Sequence, residues 1–290
     1  MIPPTFDYHA PKTLPEAVAL LSRFGDDAKV LAGGQSLLPL MKLRLGQPKN
    51  LVDIGRIPGL EDIKEERGFL HIGARTREAA LERNELVRKR FPILVDTTEV
   101  IADPIVRNLA TVGGNLAHGD PANDHPATMI ALGARVVALG PKGQREIPVA
   151  QLFKGLFSTA LEPDEILVDV RVPTPPDRSG GAYLKLERKV GDFATAAAAV
   201  QLTLDGRGEV ARAGIALTAA GPIPVQASEA EAYLVGRRVD EATIAEAARL
   251  AARATSPTAD RRGTVEYKQE MARVLTARAI RTAYTRAGGR

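Results

Sequence analysis

Apolar residues recur at helical spacing at Ala17, Leu20, Leu21 and Phe24, directly after Thr13-Leu14-Pro15-Glu16, a capping box with proline near its start. The pattern predicts a first helix over residues 14–24. Short buried strands follow at Lys29-Val30-Leu31-Ala32, ending on Gly33-Gly34, and at Leu51-Val52-Asp53-Ile54 and Phe69-Leu70-His71-Ile72. The opening of the chain therefore reads as a small α/β unit.

A second stretch predicts helices over 78–83 and 92–101, a Gly-rich loop at Thr111-Val112-Gly113-Gly114-Asn115, and strands over 135–139 and 146–149 joined through Gly140-Pro141-Lys142-Gly143. Strands over 166–172, 182–188, 195–204 and 210–217 come next, the last two joined by the hairpin turn Asp205-Gly206-Arg207-Gly208. Helices over 228–235, 240–254 and 264–286 close the chain. The fold class is α+β, with no repeat period or low-complexity tract.

The chain has 290 residues, Lys+Arg 39 against Asp+Glu 35, and no cysteine. That length predicts two or three domains of about 100 residues each. Without cysteine this chain alone offers no disulfide, no thiolate nucleophile, no Cys-ligated zinc and no iron–sulfur cluster. Redox chemistry would need an organic cofactor or a partner. Neither a signal peptide nor a membrane span is predicted, which with the missing cysteines suits a cytoplasmic protein, including one at the inner face of a membrane. The positive charge gathers in the C-terminal segment from Arg249 onward, which reads as a solvated or partner-facing helix. It lacks interleaved aromatics, so nucleic acid is not expected.

Two loops carry the candidate chemistry: Ala32-Gly33-Gly34-Gln35-Ser36 after a strand, and Thr111-Val112-Gly113-Gly114-Asn115. Paired glycines let backbone N–H groups turn toward a ligand as a phosphate-holding nest, and Ser36, Thr111 and Asn115 add side-chain donors. Two plain turns are the alternative. GxxxxGK[ST] is absent, and the only G-x-G, Gly206-Arg207-Gly208, lacks the third glycine, which disfavours a Walker NTPase or a Rossmann dehydrogenase. His118-Gly119-Asp120-Pro121-Ala122-Asn123-Asp124-His125 is the densest polar cluster. Its spacing matches no established metal motif, and the plainer reading is a loop whose Asp124 caps the helix starting at Pro126. Lys185 to Lys189 and Gly191 to Ala194 read, on their own, as an exposed strand end and an aromatic anchor.

Taken together, these motifs resemble the FAD-binding medium subunit of the molybdenum hydroxylases, the xanthine dehydrogenase and aerobic carbon monoxide dehydrogenase family. The resemblance runs through IPPTFDYHAPKTLPEAVALL, AGGQSLLPLMKLR, LVDI, IADPIVRNLATVGGNLAHGDPANDHPA, EILVDVRVP and YLKLERKVGDFATAAAAV, in that order. It implies two α/β subdomains clasping FAD in the vanillyl alcohol oxidase manner, at 1–55 and 56–176, and a C-terminal domain at 177–290 of a three-stranded antiparallel sheet with a helical bundle. Carried over by position, Leu31, Ala32, Gly33, Gly34, Gln35 and Ser36, with Thr111, Gly113, Gly114 and Asn115, would hold the pyrophosphate and flank the ring system. Asp124 would bind near the ribose, and Lys185 would lie at the oxygen edge of the flavin. Ile101 and Phe193 would pack on its faces, with Ala102 and Leu167 completing the cofactor contacts.

The same resemblance implies no catalytic residue and no metal ligand on this chain. A large molybdenum subunit and a small [2Fe-2S] subunit are the implied partners, in a dimer of heterotrimers, with electrons leaving through FAD to an external acceptor. Two positions depart from the carbon monoxide dehydrogenase pattern: Gln35 stands where relatives carry His, and Phe193 where they carry Tyr. Both variants suit a related enzyme with another substrate. A self-contained flavin oxidase or dehydrogenase of the same fold, or a binding protein that has lost its flavin, are the rival readings.

Overall fold

The computed structural model describes residues 2–289; Met1 and Arg290, the outermost residues of the first and third expected units, lie outside them. The N-terminal unit comprises β1 (Asp7–His9), α1 (Leu14–Phe24), β2 (Ala28–Leu31), α2 (Leu37–Lys42) and β3 (Asn50–Asp53), its parallel sheet ordered β1-β3-β2. The predicted capping box forms: Thr13 Oγ1 accepts the Glu16 N–H at 3.3 Å, while Glu16 Oε2 accepts the N–H of Lys12 at 2.9 Å. Helix α1 buries Ala17, Val18 and Leu21 against Val52 and Ile54.

The second unit runs β4 (Ile63–Glu66), β5 (Phe69–Gly73), α3 (Glu78–Arg83), α4 (Glu85–Arg90), α5 (Pro92–Glu99), α6 (Pro104–Arg107), α7 (Val112–His118) and α8 (Asp124–Ala131). It continues with β6 (Arg135–Gly140), β7 (Gly143–Pro148), α9 (Val149–Leu152), β8 (Phe153–Gly155), β9 (Ser158–Thr159) and β10 (Ile166–Pro173). Strands β4-β5-β10-β6-β7 form one antiparallel sheet, and β8 pairs with β9. A register shift between Leu167 and Asp169 changes the phase of β10. Leu167, Val170 and Val172 consequently face the helical core, whereas Ile166 and Val168 face the N-terminal unit. One strand thus serves two cores.

The C-terminal unit contains β11 (Ser179–Leu186), β12 (Ala196–Leu204), β13 (Val210–Thr218), β14 (Val225–Gln226), α10 (Ser228–Leu234), α11 (Glu241–Arg253) and α12 (Val265–Arg286). The three long strands expected here pair in sequence order, and the two-residue β14 adds to β13. Alternation along β12 divides its residues between two cores. Ala197 and Ala199 join the cluster that holds Met129 and Ala131 of α8, while Ala196, Ala198, Val200 and Leu202 meet Ala279, Ile280 and Ala283 of α12. The small alanine side chains let helices approach both faces, and the middle helices become continuous with the C-terminal sheet.

Candidate functional site

The first glycine loop leaves β2 and turns into α2. Gly34 has φ +73°, a left-handed conformation that costs glycine little. Among the described residues, no internal hydrogen bond uses the N–H of Gly33, Gly34, Gln35 or Ser36. The Gln35 amide folds back, donating to the Gly33 carbonyl at 3.2 Å. Four consecutive donors and the Ser36 hydroxyl are therefore open to a ligand, the arrangement that suits anionic oxygens.

The second glycine segment is not the loop its composition predicts: it is the first turn of α7, with Thr111 as N-cap. Its backbone donors are consumed internally, which corrects the expectation of a second nest. Val112 N–H reaches Thr76 O at 3.0 Å, Gly113 N–H reaches Ala74 O at 3.0 Å, Gly114 N–H reaches Thr111 Oγ1 at 3.2 Å, and Asn115 N–H reaches Thr111 O at 2.9 Å. What remains for a ligand is side-chain chemistry: the Thr111 hydroxyl proton, and Asn115 Oδ1, which is buried with no hydrogen-bond partner. Gly113 is required by packing, since a Cβ there would lie 2.6 Å from the Ala74 carbonyl oxygen.

These two segments face one cleft of about 690 Å³, lined by Ala32 to Ser36, Thr111, Gly113, Gly114, Asn115 and Leu167. The two segments approach closely, since a Cβ on Gly33 would sit 2.2 Å from the Leu109 carbonyl oxygen. Lys29 also lines the cleft and has no ion-pair partner among the described residues. Sequence reasoning missed it, although it stands on the strand that delivers the glycine loop. The segment around Phe157, Ser158 and Thr159 was missed as well, and no sequence signal marks it. His118 packs against Phe157 with the rings tilted and their centroids 4.9 Å apart, and burial lowers its pKa from the ordinary histidine value.

The other expected residues gather elsewhere, around Lys185. Its side chain is 2% exposed, and its ammonium donates to Val100 O at 2.9 Å and to Asp124 Oδ2 at 3.1 Å and lies 3.3 Å from Glu187 Oε2. Asp124 Oδ1 accepts the Tyr183 hydroxyl at 2.6 Å. Burial pushes the Asp124 carboxyl up, opposed by the Lys185 charge and the Tyr183 hydrogen bond, and burial together with Asp124 raises Tyr183 well above an ordinary tyrosine. Lys185 is no exposed strand end; the chain buries it between two carboxylates.

Lys185 also organises the loops on either side. Val100 precedes Ile101 and Ala102, the latter held at φ +45°. Glu187 Oε1 accepts the Gly191 N–H at 3.2 Å, and Gly191 packs so closely on Ala102 that a Cβ would lie 2.5 Å from its carbonyl oxygen. Phe193 follows, half exposed and not a core anchor; its N–H is held by Asp192 Oδ1, which also accepts from Arg262 at 3.0 Å. The two halves of the site are joined by Asn123, whose amide donates to Asn115 O at 2.9 Å.

The side chains of the polar cluster diverge. His125 pairs with Glu78, Asp124 with Lys185, and Asp120 accepts the Ala122 N–H, so they do not form a shared ligand set. The basic C-terminal segment is less available than its composition suggests. Arg249, Arg253, Arg262, Lys268, Arg273, Arg281 and Arg286 all sit in ion pairs within the chain, leaving Arg261 and Arg278 outside any pair among its described residues.

Residues 4–175 match the family described as FAD binding domain in molybdopterin dehydrogenase, and residues 181–283 match the CO dehydrogenase flavoprotein C-terminal domain. The chain is 46% identical to the carbon monoxide dehydrogenase medium chain of Afipia carboxidovorans, over 99% of both chains. It is 38% identical to the 6-hydroxypseudooxynicotine dehydrogenase complex subunit alpha of Paenarthrobacter nicotinovorans, over 99% of this chain and 97% of that one. Superposition on a carbon monoxide dehydrogenase chain from Hydrogenophaga pseudoflava gives a TM-score of 0.96 at 48% identity, covering 99% of each.

Proposed function

Because the chain belongs to the FAD-binding medium-subunit family of the molybdenum hydroxylases, we propose that it carries electrons from [2Fe-2S] clusters on a partner, through FAD, to an external acceptor. The observation that carries this reading is the cleft itself: four unpaired N–H groups from one segment and, from the other, the buried Asn115 side-chain oxygen Oδ1, which has no partner. Its volume lies within the range of about 300–1,000 Å³ typical of organic-ligand sites.

The residues present fit FAD. Gly33 to Ser36 would hold the pyrophosphate, Lys29 would offset its charge, and Thr111 and Asn115 would add donors and acceptors, with Leu31, Ala32, Gly113, Gly114 and Leu167 shaping the walls. Ile101, Ala102, Lys185 and Phe193 would surround the ring system; Asp124, whose two oxygens are taken by Tyr183 and Lys185, would act there through Lys185 in place of the ribose contact expected of it. FAD, when bound, supplies an exchange between one-electron and two-electron carriers. The chain binds and orients it, and Lys185 brings a buried cation whose charge Asp124 and Glu187 already offset.

Substrate choice falls to the molybdenum partner. The two curated relatives above are named for unlike substrates, carbon monoxide and 6-hydroxypseudooxynicotine, yet each matches nearly the whole chain. The test is to purify the protein with whatever accompanies it and to quantify FAD, iron and molybdenum per copy. About one FAD here, with iron and molybdenum on separate copurifying chains, is the expected result. FAD alone, with turnover by the isolated chain, would move catalysis onto this polypeptide; no bound flavin under any condition would overturn the reading.

A further inference from the structure

Glu78 and His125 form a pair that the proposed cofactor contacts do not use. Glu78 Oε2 accepts from His125 Nε2 at 2.7 Å, and both side chains are fully buried. The other polar atom of each, Glu78 Oε1 and His125 Nδ1, has no partner, and neither does the hydroxyl of Thr76 nearby in sequence. A buried polar pair of this kind adds little net stability, because desolvation offsets its attraction, and apolar residues of similar volume commonly serve as well. What it supplies instead is direction and distance.

Its placement gives those properties a use. Glu78 is in register with the α7 turn: its N–H donates to Ala110 O at 3.0 Å, Arg77 bridges Thr111, and Thr76 O accepts from Val112. His125 follows Asn123, which holds Asn115 O, and Asp124, which holds Lys185. The pair therefore bolts the start of α8 to the strand-like segment that positions Thr111.

We propose that Glu78 and His125 are positioning residues for the flavin, fixing the spacing between the Thr111–Asn115 turn and the Asp124–Lys185 cluster. This rests on the assignment of the cleft to FAD. The variant Glu78→Val with His125→Leu, in the full chain, nearly keeps the summed volume and removes direction. Its melting temperature is expected to stay near that of the parent, while its FAD dissociation constant rises about tenfold, the scale of coupling between contacting groups. The visible circular dichroism of the bound flavin is expected to change too. Parent-like affinity and dichroism in the folded variant would overturn the proposal alone; a parent protein that binds no FAD would overturn the cofactor assignment with it. Should that variant not fold, His125→Gln and His125→Ala decide. Gln keeps a donor of similar reach, so its restoration of affinity relative to Ala supports positioning, whereas equal affinities for both refute it.

Discussion

Lys185 and Asp124 meet at 3.1 Å in an almost water-free pocket, and neither is balanced by the other alone, since Glu187 also approaches the ammonium and Tyr183 donates to the carboxylate. Removing one member leaves the rest buried without a full set of partners. Asp124→Ala is expected to destabilise the protein by roughly 3–5 kcal/mol and to lower its FAD content. Asp124→Asn, which retains an acceptor for Tyr183, is expected to cost less. Urea unfolding and released flavin, measured on both variants, check the order.

Asn115 presents the opposite case. Its Oδ1 is buried and unpartnered, so deleting the side chain removes a desolvated group rather than a bond. Asn115→Ala is expected to leave the flavin-free protein within about 0.5 kcal/mol of the parent and to weaken FAD binding about tenfold. A fluorescence titration beside a melting curve separates the two quantities.

Gly33→Ala places a methyl group where Leu109 O already lies, 2.2 Å away, so the two loops must part. Gly114→Val meets the Thr111 hydroxyl at 2.6 Å and displaces the cap of α7 instead. Both variants are expected to purify with little flavin, whereas Thr111→Ala, which loses the cap without a clash, is expected to cost about 1 kcal/mol and keep part of its FAD. Flavin absorbance per protein checks all three.

The pH dependence of stability carries a sign set by His118. Burial lowers its folded-state pKa, so the unfolded chain binds protons more readily. The contribution of neutral His118 is fully present above the ordinary histidine value and is lost as pH falls through the lowered one. Stability should therefore decline between about pH 7 and pH 5, and less steeply in His118→Gln. Melting temperatures of both proteins across that range test the slope.

Phe193 is half exposed and contributes little to the core. Phe193→Tyr is expected to change stability by less than about 0.5 kcal/mol and to shift the reduction potential of the bound flavin by adding a hydroxyl donor near the ring. A spectroelectrochemical titration measures the shift, and an unchanged potential would remove Phe193 from the ring's surroundings.

Local pattern set a large part of this protein. The Thr13 capping box, the hairpin turns at Pro141-Lys142 and Asp205 to Gly208, and the spacing of α10, α11 and α12 are short-range features, governed by periodicity and turn chemistry that neighbouring residues carry themselves. The glycine loop at Gly33-Gly34 was legible for the same reason. The second glycine segment was misread as a loop because glycine lowers helix propensity, and the turn exists only since Thr111, Thr76 and Ala74 satisfy its donors. Strand β1 was invisible, its exposed Asp7-Tyr8-His9 showing no alternation until β3 pairs with it. Lys185 looked like a solvated strand end; only Asp124, Glu187 and the Val100 carbonyl, brought from distant positions, make its burial affordable. Sequence alone determined the longer elements and the family likeness, while partners far apart along the chain decided which polar groups stay open to a ligand and which are used up in holding the fold.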